Sequence, residues 1–254
     1  MGKRELYRAG QVLIAKFGTP RVEQAAARQV PWHYPLKCLL LLCGVLGATL
    51  QAVAAPNAHE VVASTTEEVM AAVEAAPAYV DDDPQRYYDT IRGILDPVID
   101  FRGFARGVMG EYASSDRYRS LDKAGREKLK GQLDRFTEVM RDGLVRTYSK
   151  GLLAFGGSRI QLSQPGPEDA EARTVSVRQL IYSEASKPYE VMYQMGRDRS
   201  GDWKLRNMII ETVNLGAIYR SQFEAAARKY DGDLDRVIDN WSAASEELDR
   251  VGEA

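Results

Sequence analysis

Apolar residues recur every three to four positions through the first half of the chain, and every second position in part of the second half. The strongest helical pattern runs from Asp122 to about Leu153. Its stripe consists of Leu129, Leu133, Phe136, Met140, Leu144, Tyr148 and Leu152, and Val139, Val145 and Leu153 widen it. This stripe is wider than contact with a single neighbouring helix needs, so the segment is expected to pack against several elements.

Shorter helices are predicted on both sides of this long one. The stretch Ser64–Ala76 has a serine or threonine cap and early glutamates, and Pro77 ends it. A second helix has Asp83 as its cap and Pro84 at its first position. Two closing helices follow Gly216, with a turn at 231–233 between them.

The predicted helix 100–113, capped by Asp100, has an unusual composition. Gly103, Gly107 and Gly110 fall on one narrow stripe, although each interior glycine costs about 1 kcal/mol relative to alanine. The opposite side carries Phe101, Phe104, Val108, Met109 and Tyr112. One explanation is that another backbone packs closely against the glycines while the aromatic side faces a ligand. The alternative is a helix crossing at the glycines with the aromatics in a solid core.

The pattern changes to a period of two after the turn-like segment 155–158. Four strands are expected, in "SRIQLSQ", "EARTVSVRQLIYS", "PYEVMYQMGRD" and "DWKLRNMIIETVNL". In the last of these, Trp203, Leu205, Ile209 and Val213 are predicted to share one face. The turn residues between the runs favour antiparallel hairpins or a meander.

The sequence therefore predicts an α+β fold, with a twisted antiparallel sheet of about four strands packed against several helices. A single domain is expected over 55–254, helical over 60–155, with the sheet over 158–214 and closing helices over 217–248. Tyrosine, methionine and phenylalanine are frequent on the periodic faces. They form either an ordinary core or an apolar cavity between the helices and the concave side of the sheet.

The N-terminal region reads as a targeting segment. An uncharged run of 13 residues, Cys38–Leu50, is too short to span a bilayer, and Ala52, Val53 and Ala54 have signal-peptidase spacing. We therefore expect a signal peptide at 36–54 that is cleaved after Ala54; the alternative is an uncleaved anchor. Residues 1–35 are a misassigned start, a long n-region or a cytoplasmic extension.

Charge and residue content after this cleavage exclude several functions. The remaining chain has 27 basic and 34 acidic residues, no cysteine, and His59 as its one histidine, placed near a terminus expected to fray. The net charge of −7 disfavours nucleic-acid binding. Triad, cysteine–histidine and histidine–zinc chemistry all lack their residues. No metal or other cofactor is expected.

Other candidate sites have simpler explanations. The carboxylates Glu111, Asp116, Asp231, Asp233 and Asp235 lie beside predicted turns and caps, where acidic residues are common. The run 81–83 is more simply a solvated cap than a cation site. The segment 155–158 follows a helix and precedes a strand, the reverse of a phosphate-binding loop. We expect no enzymatic activity, although an enzyme on a cone-shaped α+β fold stays an alternative.

Four segments together resemble a known family. These are "DFRGFARGVMGEY" (100–112), "YEVMYQM…WKLRNMIIE" (189–211), "IIETVNLGAIYRSQF" (209–223) and "GDLDRVIDNW" (232–241), which resemble the MlaC or toluene-tolerance family in order and spacing. The resemblance covers nearly all of 60–245. It implies a monomeric periplasmic carrier of glycerophospholipids in the Mla lipid transport system, which maintains outer-membrane lipid asymmetry. Its partners would be an inner-membrane complex with an ABC transporter and an outer-membrane lipoprotein–porin complex.

The resemblance also implies which residues contact lipid. Together with the helical stripe they are Phe101, Phe104, Val108, Met109, Tyr112, Phe136, Met140, Leu144, Tyr148, Leu152, Tyr189, Val191, Tyr193, Ile209, Val213, Leu215, Tyr219 and Phe223. Thr212 stands where glycine is expected, and Leu129 where an aromatic residue is usual. Arg102, Arg106, Arg146 and Lys150 are candidates for phosphate contact. The alternative function is a periplasmic adaptor with a solid core that binds no lipid.

Overall fold

The computed structural model describes residues 55–153, 159–182 and 187–241. Five helices precede the sheet: α1 (Ala58–Ala75), α2 (Pro84–Leu95), α3 (Phe101–Met109), α4 (Ser115–Ser120) and α5 (Lys123–Leu152). Two helices follow it: α6 (Leu215–Lys229) and α7, which runs from 234 to the last described residue, 241. The signal peptide and residues 1–35 lie outside the described residues.

The sheet has five strands in the spatial order of the sequence, and each pairs antiparallel with the next. They are β1 (Arg159–Leu162), β2 (Thr174–Tyr182), β3 (Tyr189–Arg197), β4 (Trp203–Ile210) and β5 (Val213–Asn214). The predicted α+β class and meander are confirmed. The count differs because β5 has only two residues, too few for a periodic pattern to show.

Side-chain caps fix most helix starts. Asp83, Asp100 and Asp122 each accept a hydrogen bond from the backbone N–H three residues ahead, which confirms the predicted caps Asp83 and Asp100. The predicted start of α1 at Ser64 is wrong: the helix begins at Ala58, where Asn57 and Glu60 form a capping box. The Ser64 hydroxyl instead donates to the Val61 carbonyl, which keeps a cap-forming residue inside the helix.

Three hydrophobic clusters hold the layers together. The helical cluster joins α3, α5, α6 and α7 around Phe136 and Phe223, whose ring centroids lie 4.9 Å apart. A second cluster joins α1, α2, α3 and, through Val145, α5 around the buried Tyr87 and Ile91. The third packs the start of α1, through Val62, onto the sheet. The buried side chains of the described residues therefore form three clusters, and Leu144 packs against both the first and the second.

A bulge in the β3–β4 ladder corrects one predicted face. Met195 pairs with Leu205, whereas Gln194 pairs with Asn207, so the register shifts by one residue there. Beyond the shift, Met208 and Ile210 share a face with Leu205, and Ile209 points to the other side. The prediction that Ile209 lies on the same face as Trp203 and Leu205 is wrong.

A short backbone pairing joins α3 to the sheet. Ile99 forms a parallel bridge with Leu205, and the Asp100 N–H donates to the Leu205 carbonyl. The Asp100 carboxylate also pairs with Arg206 while it caps α3. One aspartate thus fixes both the start of α3 and its position against β4.

Candidate functional site

The sheet turns one apolar face toward the helices, which we call the inner face. Directly paired residues of neighbouring strands lie on the same face of the sheet. On β2 the members of the inner face are Val175, Val177, Gln179 and Ile181, each paired with a β3 residue of that face. The members on β3 and β4 are Tyr189, Val191, Tyr193, Met195, Trp203, Leu205, Met208 and Ile210. This face is the floor on which any enclosed ligand would lie.

Helix α1 covers only one half of the inner face. Its residue Val62 packs with Val175, Val177, Met195 and Trp203 in the third cluster. A chain of hydrogen bonds marks the edge of this covered half: Tyr193 Oη donates to Gln179 Oε1 (2.8 Å), and Gln179 Nε2 donates to Thr66 Oγ1 (3.0 Å). Burial raises the pKa of the Tyr193 hydroxyl above its usual range, so it stays a neutral donor.

The remaining part, which we call the open half, consists of Ile181, Tyr189, Val191, Met208 and Ile210. None of the five belongs to any of the three clusters formed by the described residues. Val191 is buried, and the other four are half-buried. Val213 of β5 extends this surface, because it pairs with Ile210. Among the described residues, these apolar side chains are sheltered from solvent but join no hydrophobic cluster.

The end of α5 carries the helical side of the candidate site. Leu144, Tyr148 and Leu152 are half-buried, and Leu144 and Leu152 also pack against the second cluster. The hydroxyls of Tyr148 and Tyr219 hydrogen-bond each other, which links α5 to α6. Burial raises the pKa of both tyrosines. Because α6 begins at Leu215, directly after β5, this pair ties α5 to the end of the sheet.

Several residues predicted to contact lipid lie in packed core. Phe136, Met140 and Phe223 are at most 2% exposed, and so are Val108 and Met109. Phe104 and Tyr112 are half-buried against the same helical cluster, and Phe101 is buried in the second. Leu129, where an aromatic residue was expected, is buried in the helical cluster. The structure brings these side chains together as packing partners.

The glycines of α3 do not receive another backbone, so that part of the prediction is wrong. A Cβ on Gly103 would overlap the Asp100 carboxylate, whereas one on Gly107 would meet nothing within 4 Å. Gly110 has φ +56° and lies against Arg220. The stripe lines a surface cleft of about 460 Å³ together with Arg106 and Arg220.

The basic candidates for phosphate contact are dispersed. Arg102 pairs with Asp134 at 2.5 Å, and Arg106 lies in the glycine cleft. The guanidinium of Arg146 lies 5.6 Å from the ring centroid of Tyr88. Lys150 is half-buried near the end of α5. These groups do not form one anion site.

His59 is buried in the first turn of α1, so the expectation that it lies in a frayed terminus is wrong. Its Nε2 is 3.4 Å from Ser163 Oγ, while its Nδ1 is 3.9 Å from Asp169 Oδ2, beyond hydrogen-bond distance. Ser163 Oγ accepts from the Arg178 N–H, and Asp169 Oδ2 accepts from the Gly166 N–H. His59, Ser163 and Asp169 thus lie together where the β1–β2 connection meets α1.

Sequence reasoning missed Ile181, Met208 and Ile210 of the open half. Ile181 had a visible signal, since it continues the alternation of Val175 and Val177. Met208 and Ile210 were missed because the bulge in β4 interrupts the alternation that starts at Trp203 and Leu205. Thr212, where glycine was expected, is exposed in the turn between β4 and β5.

In the described ranges there is no group of three or more histidine, cysteine, aspartate or glutamate residues that could hold a metal ion. No described helix is long and apolar enough to cross a membrane.

Comparisons with known proteins agree with this architecture. The family model "MlaC protein" matches residues 63–243. The toluene tolerance protein Ttg2D of Pseudomonas putida is 28% identical over 193 residues, covering 76% of this chain and 83% of its own. A phospholipid-binding protein from Ralstonia solanacearum, solved in complex with a phospholipid, has a similar fold. Its TM-score is 0.63 at 18% identity, over 76% of this chain and 99% of its own. The chain belongs to the MlaC family.

Proposed function

We propose that this protein is a periplasmic phospholipid carrier whose acyl chains lie on the open half of the inner face. The observation that carries the proposal is the set of sheltered apolar side chains that join no packed cluster. Apolar surface of this kind is stabilised by an apolar ligand, at about 25 cal/mol per Å² buried. The Ralstonia solanacearum protein of similar fold was solved with a phospholipid bound.

The predicted contact residues divide into two groups under this proposal. Tyr189, Val191, Tyr193 and Val213 on the sheet, with Leu144, Tyr148, Leu152, Leu215 and Tyr219 on the helices, would line the chains. The residues in packed core would support that wall, and Ile209 faces away from it. Recognition would then depend on the acyl chains, because the candidate arginines are dispersed on a strongly acidic domain.

To release its lipid, the protein would have to dock onto a partner that offers the acyl chains another apolar surface. Each buried CH2 group contributes about 0.8 kcal/mol, so a diacyl lipid with about thirty of them cannot leave for water at a useful rate. We propose that the protein shuttles lipid between an inner-membrane Mla-type ABC transporter complex and an outer-membrane lipoprotein–porin complex. It acts as a monomer and not as an enzyme, and phospholipid is its cargo.

Lipid extraction from the purified protein tests this proposal. We expect glycerophospholipid to co-purify at a fixed molar ratio through aqueous columns, and delipidated protein to reload from vesicles. The packed helical cluster favours a second candidate, an adaptor with a solid core. Protein that purifies empty, and that does not take up lipid from vesicles, would support the adaptor and contradict the carrier.

A further inference from the structure

The short helix α4 buries none of its six residues. Tyr118 in this helix is 44% exposed, and it is the one large hydrophobic side chain that the described residues leave exposed. Helices of globular proteins normally turn an apolar face to the core, and a helix of this length is not stable in isolation. The helix therefore presents side chains, including an aromatic ring, that the fold itself does not use for packing.

Polar contacts hold α4 in place instead. At its start, Ser114 Oγ accepts a hydrogen bond from the Arg117 N–H at 3.1 Å. At its end, the Arg126 guanidinium of α5 donates to the Tyr118 and Arg119 carbonyls at 3.1 and 2.9 Å. The same guanidinium lies 5.4 Å from the centroid of the Tyr118 ring. Tyr118 thus has a fixed position on the surface, beside the first turns of α5.

Positive charge is concentrated in α4 and the start of α5. The segment 115–130 has six basic and three acidic residues, whereas the rest of the chain after Ala54 has 21 basic and 31 acidic residues. The molecule is therefore basic within this segment and strongly acidic outside it. Such an asymmetry steers an anionic partner to the basic region.

Most of these cations are not neutralised by the protein itself. Arg119 pairs with Asp116, and Lys128 pairs with Asp235 at 3.3 Å. No carboxylate of the described residues pairs with the other four, which are Arg117, Lys123, Arg126 and Lys130. The last three are spaced three and four residues apart, so they share one side of α5, where the exposed Glu127 also lies. We call these four cations, with the exposed tyrosine of α4, the basic patch.

The composition of the basic patch favours a bilayer surface over an acidic protein. Recognition of one particular carboxylate needs donors that converge on it. The lysines and arginines here are spread over two helices, which suits a surface of many mobile anionic head groups. Tyrosine is enriched where membranes meet water, because its ring is apolar and its hydroxyl is polar. Tyr118 combines that side chain with basic neighbours on both sides in the sequence.

We propose that the basic patch docks the protein onto the surface of a bilayer that contains anionic phospholipid. The Tyr118 ring lies at the level of the head groups, and the lysine and arginine side chains extend their charges to the phosphates. The contact is peripheral and reversible, since a few charges near an anionic surface bind weakly. It uses none of the residues of the open half, so it does not depend on whether the protein carries lipid.

Co-sedimentation of the protein with vesicles tests the proposal. One set of vesicles contains phosphatidylglycerol and phosphatidylcholine in equal amounts, and the other contains phosphatidylcholine alone. We expect binding to the first set, which decreases as salt is added because salt screens exposed charges, and no binding to the second. Lys123→Gln combined with Lys130→Gln should weaken binding about 25-fold, or about fivefold for each charge removed. Tyr118→Ser should weaken binding without changing its salt dependence.

A matched control removes two exposed charges elsewhere. Lys187 and Arg199 are exposed just before and just after β3, and they lie outside the basic patch. The combination of Lys187→Gln and Arg199→Gln changes the net charge by the same amount as the lysine pair. We expect it to leave vesicle binding within about twofold of the unmodified protein, because surface charges act locally within a Debye length.

Three results would overturn this assignment. The first is equal sedimentation with both sets of vesicles, and the second is equal weakening by the control pair and the lysine pair. The third is no binding to the anionic vesicles; if poly-glutamate then bound saturably, the patch would belong to an acidic protein partner. Phospholipid extracted from the unbound protein should be equal in all variants. Its absence would contradict the carrier proposal alone, so the two failures are distinguishable.

Discussion

At the scale of single residues, the same apolar side chain has different roles on the two halves of the inner face. Val191 and Val177 are both buried valines on neighbouring strands of this face. Val177 belongs to the third cluster beneath α1, whereas Val191 lies in the open half. Both belong to runs in which apolar residues recur at every second position, although Val177 lies between Ser176 and Arg178 whereas Val191 lies between Glu190 and Met192. The two valines differ in which elements pack against them, and the alternation of apolar residues along a strand does not predict this.

A matched pair of substitutions tests this difference. Val177→Glu should unfold the protein, because a carboxylate in packed core lacks any partner and costs several kcal/mol. Val191→Glu should leave a folded monomer that has lost its lipid. Circular dichroism, gel filtration and lipid extraction would measure both outcomes. Unfolding by both substitutions would indicate a solid core.

The buried tyrosines predict how stability depends on pH. The pKa values of Tyr148, Tyr193 and Tyr219 are raised above the ordinary value of 10.0 by burial, so unfolded chains ionise first as pH rises. Their contribution is fully present below pH 10 and is lost progressively above it. We expect the urea midpoint to fall above pH 10, and to fall less in Tyr193→Phe. An equal fall in that variant would contradict the assignment.

At the scale of elements, local chemistry predicts most helices well and fails where tertiary contacts decide. The predicted aspartate caps of α2 and α3 are confirmed, and α5 begins after Asp122 as predicted. The start of α1 was misplaced because Ser64 resembles a cap, while Asn57 had no preceding pattern to mark it. The bulge in β4 has no sequence signature of its own, so the orientation of Ile209 could not be predicted.

Alanine substitutions at Gly107, inside α3, and at Gly110, directly after α3, are predicted to have opposite effects on stability. Gly107→Ala should stabilise the fold by up to about 1 kcal/mol, because the position is helical and open. Gly110→Ala should destabilise it, since φ is +56° and a Cβ would lie 2.9 Å from Arg220 Nε. Thermal unfolding of the two variants checks both signs. Destabilisation by Gly107→Ala would restore the idea of close packing at that glycine.

At the scale of the whole molecule, division of the core into three clusters separates rigidity from binding. The first and second clusters are formed by close-packed side chains, whereas the open half joins no cluster of the described residues. Composition predicted both a core and a cavity without assigning residues to either. Phe136 and Tyr148 lie on one stripe of α5, yet the first is fully buried and the second half-buried.

Removal of the ligand should therefore lower global stability. An empty apolar cavity costs about 24 cal/mol per Å³, so one of about 300 Å³, at the lower end for ligand pockets, would cost about 7 kcal/mol, against the 5–15 kcal/mol that typically stabilises a domain. We expect delipidated protein to melt at a lower temperature and to recover on reloading from vesicles. Scanning calorimetry at equal protein concentration measures this. Identical melting before and after reloading would contradict ligand-linked stability.

The position of the acyl chains is the central claim, and photocrosslinking tests it most directly. The protein would be loaded with a phospholipid that carries a diazirine in the middle of one acyl chain, irradiated and mapped by peptide mass spectrometry. We predict adducts on Val191, Met208 and Ile210 of the open half and on Tyr148 of α5. Adducts confined to the outward-facing Met192 and Ile209, or equal labelling in Val191→Glu, would contradict the account.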